Sequence, residues 1–282
     1  MTTAVRAKQQ LELEQHVKSL TLQGNTLALA VAEKQDVVWK SYMFNLKAGT
    51  LKFLLNASID TLPTAANLRR WKKSASDLCK LCRGRQTTHH VLNCCPTALN
   101  SGRFTWRHDT LLKYIVSSVD TTRLKVFSDL PGHQAAGGGS IPPEICVTNL
   151  RPDVVIVDEQ KKVIHLYELT MPGETNIDQR NHQKSQKYAH FLTDCTGYTC
   201  KLTCFEVSSK GFISTRNHTS LKSLHTFMHA STKLTTFKKN LSALAIYTSY
   251  HIYLCRSDVA FTTPPFLSPP FTDGGRSRAA GQ

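Results

Sequence analysis

Acidic residues are scarce in this chain. Twenty Asp and Glu stand against 35 Lys and Arg over 282 residues, leaving a formal charge of +15 and a pI near 9.5. That imbalance favours a polyanionic partner, DNA or RNA, over a merely basic, soluble protein with no such partner. Long apolar runs are lacking too. None approaches the roughly 20 residues that a membrane span needs, and the best candidate, Leu241 to Cys255, is interrupted by Ser, Thr and His. The first fifteen residues are polar throughout, without the apolar block of a secretory leader. These absences point to a nuclear or cytoplasmic protein with no membrane partner, in a compartment where thiols stay reduced. The nine cysteines, an odd number, then read as metal ligands or buried apolar groups rather than a disulfide framework. No internal repeat is evident, and nothing in the pattern fixes an oligomeric state.

Composition divides the chain into five segments. Residues 1–75 read as helical and basic: Leu11, Leu13, Val17 and Leu20 recur at helical spacing, and Gly49 reads as a stop before a new helix, LKFLLNAS. After Pro63 come Arg69, Arg70, Lys72 and Lys73 around Trp71, a patch suited to a phosphate backbone with one ring for stacking. Residues 76–118 hold a cysteine-rich stretch and a helix. Residues 119–144 contain Pro131, Gly132, three glycines at 137–139, Pro142 and Pro143, the composition of a mobile connector. Residues 145–258 switch to strand-like patterning, and residues 259–282, with four prolines and little core-forming content, read as a disordered tail.

In the second segment, Cys79, Cys82, His90 and Cys95 have the spacing C-x2-C-x7-H-x4-C. A close cysteine pair makes a knuckle turn, with Gly84 relaxing the backbone after it. If THHVLNC starts a short helix, His90 and Cys95 fall near enough to meet the same ion. Zn²⁺ favours such closed, sulfur-rich sets, and its role would be structural because no position is left for water. His89 and Cys94 are rival ligands one place earlier.

In the fourth segment, VVIV and VIHLYEL are strand material joined by a polar loop. Pairing Asp158 with Val163 would pair Asp153 with Glu168, with Cβ atoms about 5 Å apart. Two carboxylates that close repel unless a cation sits between them, and oxygen ligands suit Mg²⁺. A helix follows over residues 175–192, capped by Thr175 or Asn176, with Ile177, Lys184, Tyr188 and Phe191 on one face. Lys184 is a lysine on an apolar stripe, and a buried lysine needs a partner such as the acid pair. Lys187, about 60° further round, competes for the role.

The ordered set of cysteine knuckle, RHD (Arg107 to Asp109), RPD, ELT and the lysine-bearing helix, together with GTLKFLLNASIDTLP, HVLN, RFTWRHD and FEVSSKGFIS, resembles the C-terminal region of non-long-terminal-repeat retrotransposon polyproteins that carry a restriction-like endonuclease. The match covers roughly residues 45 to 255. The resemblance implies an α/β fold with a PD-(D/E)xK restriction-endonuclease-like core, a mixed sheet flanked by helices, preceded by a helical segment with a CCHC zinc knuckle. It implies Mg²⁺-dependent nicking of target DNA to prime reverse transcription, with Asp153 and Glu168 as metal ligands, Lys184 acting on the attacking water, and the cysteine–histidine set binding zinc. Arg107 and His108 would join the basic patch in holding nucleic acid. The alternative is a catalytically inactive relic that binds nucleic acid through knuckle and basic surface. Thr170 stands where many nucleases of this fold have their lysine, and the family moves that lysine to the next helix. No paired-aspartate polymerase motif and no reverse-transcriptase domain is present in these 282 residues.

Overall fold

Residues 154–158, VVIVD, are buried on both faces, as a run dominated by β-branched residues should be at the centre of a sheet. The computed structural model describes residues 3–20, 35–36, 38–173, 177–188, 197–215 and 217–272. In chain order its elements are helix α1 (Thr3–Ser19), strand β1 (Gln35–Asp36), two short 3₁₀ turns (Val38–Ser41, Met43–Asn45), α2 (Ala48–Ser58), α3 (Ala65–Arg70), a π-type turn (His90–Cys94), α4 (Pro96–Asn100), α5 (Arg103–Ser118), β2 (Lys125–Ser128), β3 (Val154–Asp158), β4 (Val163–Thr170), α6 (Ile177–Tyr188), β5 (Thr199–Glu206), β6 (Ile213–Ser214), α7 (Asn217–His225) and α8 (Leu234–Leu254).

The fold is α/β. Its main sheet is mixed, in the order β2-β3-β4-β5, with β2, β3 and β4 antiparallel and β5 parallel to β4. A parallel neighbour needs a crossover connection, and α6 lies in that connection, packed on β4 and β5. The β3–β4 hairpin has the expected register, Asp158 opposite Val163 through to Val154 opposite Tyr167. Alternation then sorts the side chains. Val154, Ile156, Tyr167 and Phe205 pack against α5 and α8, where Leu111, Ile115, Leu241 and Leu244 are fully buried. Val155, Val157, Ile164 and Leu166 face the other way, onto Ile141 and Ile145. Helix α8 contains most of the longest apolar run in the sequence. It is buried nearly all round, as an apolar helix inside a core should be. Among the described residues, no helix is long and apolar enough to cross a membrane.

Several expectations need correction. Gly49 does not stop a helix: it is the second residue of α2, and a Cβ there would come within 2.7 Å of the Tyr250 hydroxyl. Glycine lets α2 approach α8. The helical reading of residues 1–75 is interrupted by β1 and the two 3₁₀ turns, while residues 21–34 lie outside those described. The connector carries a strand, β2, whose four residues pair with the whole of β3 but one, and Ile141 and Ile145 beyond it cover one sheet face. Its turn-rich composition hid a short edge strand. Nor is the tail free up to residue 272. The Phe271 backbone exchanges hydrogen bonds with the Asn240 side chain (2.9 and 3.1 Å), and its ring lies 4.9 Å from that of Tyr42. Aromatic anchors replace secondary structure there; residues 273–282 lie outside those described. The five-segment division therefore does not partition the core, which draws on residues from Val38 to Ile246.

Candidate functional site

Cys79 to Cys82 forms a tight turn. The Cys79 amide donates to the Gly84 carbonyl (2.7 Å), the Arg83 amide donates to the Cys79 carbonyl (3.0 Å), and Leu78 bridges Arg85. Arg83, not Gly84, adopts the left-handed conformation (φ +66°). A Cβ at Gly84 would make only ordinary contacts, 3.4 Å from the His90 ring and 3.5 Å from the Cys82 sulfur. The π-type turn then presents His90, and Cys95 follows at its end, with Pro96 opening α4. The donor atoms of Cys79, Cys82, His90 and Cys95 all lie within 4.8 Å of one another. His90 Nε2 is 3.3 Å from Cys82 Sγ.

Ligands at tetrahedral zinc distances would be separated by about 3.5–3.8 Å, so the observed set fits that ion with a contraction of about an ångström. His89 and Cys94 are not part of the group. They face each other (3.1 Å), and Cys94 is exposed. Electrostatics also suits a cation. Burial and the neighbouring sulfurs of Cys82 and Cys79 push the Cys95 thiol up to about 11, so a thiolate there requires a positive partner. Burial, then the neighbouring His89, holds His90 below its ordinary value, in the neutral form that ligates metals.

The second site sits where the β3–β4 hairpin opens. Continuing the register one step beyond Val154 and Tyr167 sets Asp153 opposite Glu168. Asp153 is 7% exposed and Glu168 0%. Asp153 Oδ2 accepts from the Leu169 amide (2.7 Å), and Glu168 Oε2 is ion-paired with Lys184 Nζ. Of the two candidate lysines, Lys184 turns to the acids. Lys187 is exposed and donates to the Tyr188 hydroxyl (3.3 Å). Tyr188, on the same face as Lys184, is fully buried, and its own hydroxyl donates to the Arg151 carbonyl (3.1 Å). The remaining expected members of that face, Ile177 and Phe191, and the caps Thr175 and Asn176, lie outside the residues whose side chains are described.

A fourth group completes this site. His108, on α5, brings Nε2 to 3.4 Å from Asp153 Oδ2 and Nδ1 to 3.0 Å from Asp109 Oδ1. Burial disfavours its charge, but Asp153 and Asp109 prevail and push the imidazole up to about 10. The acids are pushed apart. Burial works against Asp153 ionising, yet His108, Lys184 and the Leu169 amide hold its carboxyl below the usual range. Burial and the charge of Asp153 raise Glu168, with Lys184 and the Tyr188 hydroxyl only partly offsetting them. Glu168 Oε1 is buried and has no hydrogen-bond partner among the described residues. That oxygen and the second carboxylate are hard oxygen donors that could hold a cation.

His108, expected at the nucleic-acid contact, instead packs against Asp153. A signal was present, because His108, Leu111, Leu112 and Ile115 share one helical face and the three apolar members are fully buried. Arg107 is a correction as well. It is 2% exposed, its guanidinium donating to the Leu92 carbonyl (2.8 Å) and the Ser249 hydroxyl (3.2 Å), so it braces the core and presents nothing to a ligand. Arg69, Arg70, Trp71, Lys72 and Lys73 are exposed at the end of α3. Arg69 is paired with Asp77 (2.9 Å), which also meets Arg85 (3.5 Å), tying the patch to the cysteine turn. No protein-family model and no curated protein matches this chain.

Proposed function

We propose that the chain is a metal-dependent DNA endonuclease of the PD-(D/E)xK type, corresponding to the restriction-like endonuclease region of a non-long-terminal-repeat retrotransposon polyprotein and acting in the nucleus. One observation carries the reading: two buried carboxylates, one just before β3 and one on β4, and a lysine from the crossover helix converge, leaving Glu168 Oε1 without a partner among the described residues. Asp153 and Glu168 would hold Mg²⁺, which when bound supplies polarisation of the scissile phosphate and a more acidic bound water. Lys184 keeps a positive charge at the acids, where negative charge builds on the phosphate during attack. His108 holds Asp153 in position and ionised, and the Leu169 amide fixes the same carboxylate oxygen. The cysteine–histidine set would hold structural zinc as a CCHC knuckle, carrying the basic patch beside it.

The test is nicking of supercoiled plasmid with Mg²⁺ by the full chain. Asp153→Ala and Lys184→Ala should each lose about 10²-fold or more, with duplex binding retained. Equal nicking by wild type and Asp153→Ala would reject the assignment. A second reading, a non-catalytic nucleic-acid-binding module, draws on the exposed Trp71 among cations linked to the cysteine turn through Asp77. It expects salt-sensitive binding that survives Asp153→Ala and disappears when zinc is stripped.

A further inference from the structure

An open cavity of about 430 Å³ lies at the far end of the hairpin from Asp153 and Glu168. Asp153 precedes β3 and Asp158 ends it, a separation of roughly 17 Å along the strand. Alternation also puts this cavity on the opposite sheet face. His165 shares its face with Tyr167 and Ile156, toward α7 and α8, whereas Glu168 shares its face with Ile164 and Leu166. The cavity is therefore separate from the carboxylate site.

Its lining draws on strands β3, β4 and β5 and on three connecting segments. His165 on β4 is the register partner of Lys201 on β5, so the two side chains leave the sheet side by side. Phe227, just after α7, packs against His165 with ring centroids 4.6 Å apart and ring planes tilted by 55°. Arg123 and Lys161 reach the same cavity from the turns before β2 and after β3. The single acid among the lining residues, Asp158, is taken by Lys161 at 3.0 Å. Arg123 is 81% exposed and only loosely paired with Asp120 (3.8 Å). Lys201 is exposed and has no ion pair among the described residues. Positive charge is thus in excess, and it stands beside a partly open aromatic shelf. Cavities of this volume accept small organic ligands. Cations next to a flat ring select a phosphate joined to a planar group.

We infer that this cavity takes one nucleotide of a single-stranded nucleic acid, its phosphate against Lys201 and Arg123 and its base against the Phe227 ring beside His165. The inference does not rest on the nuclease reading, since binding here needs neither Mg²⁺ nor cleavage.

The experiment titrates the full chain, without Mg²⁺, with thymidine 5′-monophosphate, thymidine, inorganic phosphate and a ten-residue oligothymidylate, following His165 imidazole resonances and heat of binding. The nucleotide should bind and move the His165 signals, thymidine and phosphate should each bind at least tenfold more weakly, and the oligonucleotide should displace the nucleotide. The double change Lys201→Ala with Arg123→Ala, both at exposed positions, should weaken nucleotide and oligonucleotide tenfold or more, while Asp153→Ala changes neither. Unchanged affinity in the double variant overturns the site. Inorganic phosphate binding as well as the nucleotide overturns the role of the ring shelf, and nucleotide binding that the oligonucleotide cannot displace overturns the strand assignment.

Discussion

Replacing Lys184 with Met removes the cation from a carboxylate that is 0% exposed. Losing one partner of a buried ion pair costs about 3–5 kcal/mol. The lower end applies here, because the Lys184 side chain is 29% exposed and Glu168 can escape by taking a proton. At about 2–4 °C per kcal/mol for a chain approaching this size, a loss of ~3 kcal/mol lowers the melting temperature by about 6–12 °C. The deficit should depend on pH. Burial and Asp153 already raise Glu168 above its unfolded value, and losing the lysine raises it further. A carboxyl with a raised folded value stabilises most at pH below its unfolded value, and that stability is lost as pH rises through the folded one. The variant should therefore melt furthest below wild type at pH 7.5 and approach it near pH 5. Adding Glu168→Gln removes the stranded charge and should recover most of the loss. Calorimetry without divalent ions reads all three proteins. A Lys184→Met melting temperature within about 1 °C of wild type at pH 7.5, or a double variant no better than the single, refutes the account.

Other outcomes follow from the same geometry. Chelation of zinc, or Cys95→Ser, should lower the melting temperature and the metal content together, whereas Cys94→Ser and His89→Ala should retain one zinc per chain by elemental analysis, since they stand outside the donor group. Arg107→Ala should cost about 1.5–3 kcal/mol in urea denaturation by stranding its buried acceptors, yet leave the salt dependence of DNA binding unchanged. Lys72→Ala with Lys73→Ala should do the reverse, flattening the plot of log affinity against log salt by about one unit per lost phosphate contact. Burial, then the charge of Lys201, holds His165 below its ordinary value. The unfolded chain therefore takes up that proton first, and stability present above about pH 6.5 should fall as pH drops through the folded value. His165→Gln should flatten a melting curve followed from pH 7.5 to 5.

The hairpin was legible because its residues carry two agreeing signals. β-branched runs fixed the strands, and the length of the polar loop fixed the register that sets Asp153 opposite Glu168. Strand β2 was not legible. Four residues among glycines and prolines carry no periodicity, and pairing with β3 rather than local propensity makes KVFS a strand. The tail was misread for a related reason. Composition reports the average tendency of a stretch to build a core, but a few anchors such as Phe271 on Tyr42 and Asn240 suffice to hold an irregular path.

The candidate site turned on a single rule applied unevenly. A charged or titratable residue on an otherwise apolar helical stripe must meet a partner inside, because burying it alone costs several kcal/mol. Applied to α6, the rule singled out Lys184, and the ion pair with Glu168 is its outcome. Helix α5 offered the same pattern at His108, above Leu111, Leu112 and Ile115. There the neighbouring Arg107 drew both residues into a basic patch, although one step along a helix turns a side chain by about 100°. The two in fact part company: Arg107 goes to the Leu92 carbonyl and His108 to Asp153. Reading each position by its own stripe, rather than by its neighbour's charge, would have set two cations from two helices against two strand carboxylates. That balance explains how the sheet tolerates a pair of buried acids there, with one oxygen of Glu168 left without a hydrogen-bond partner among the described residues.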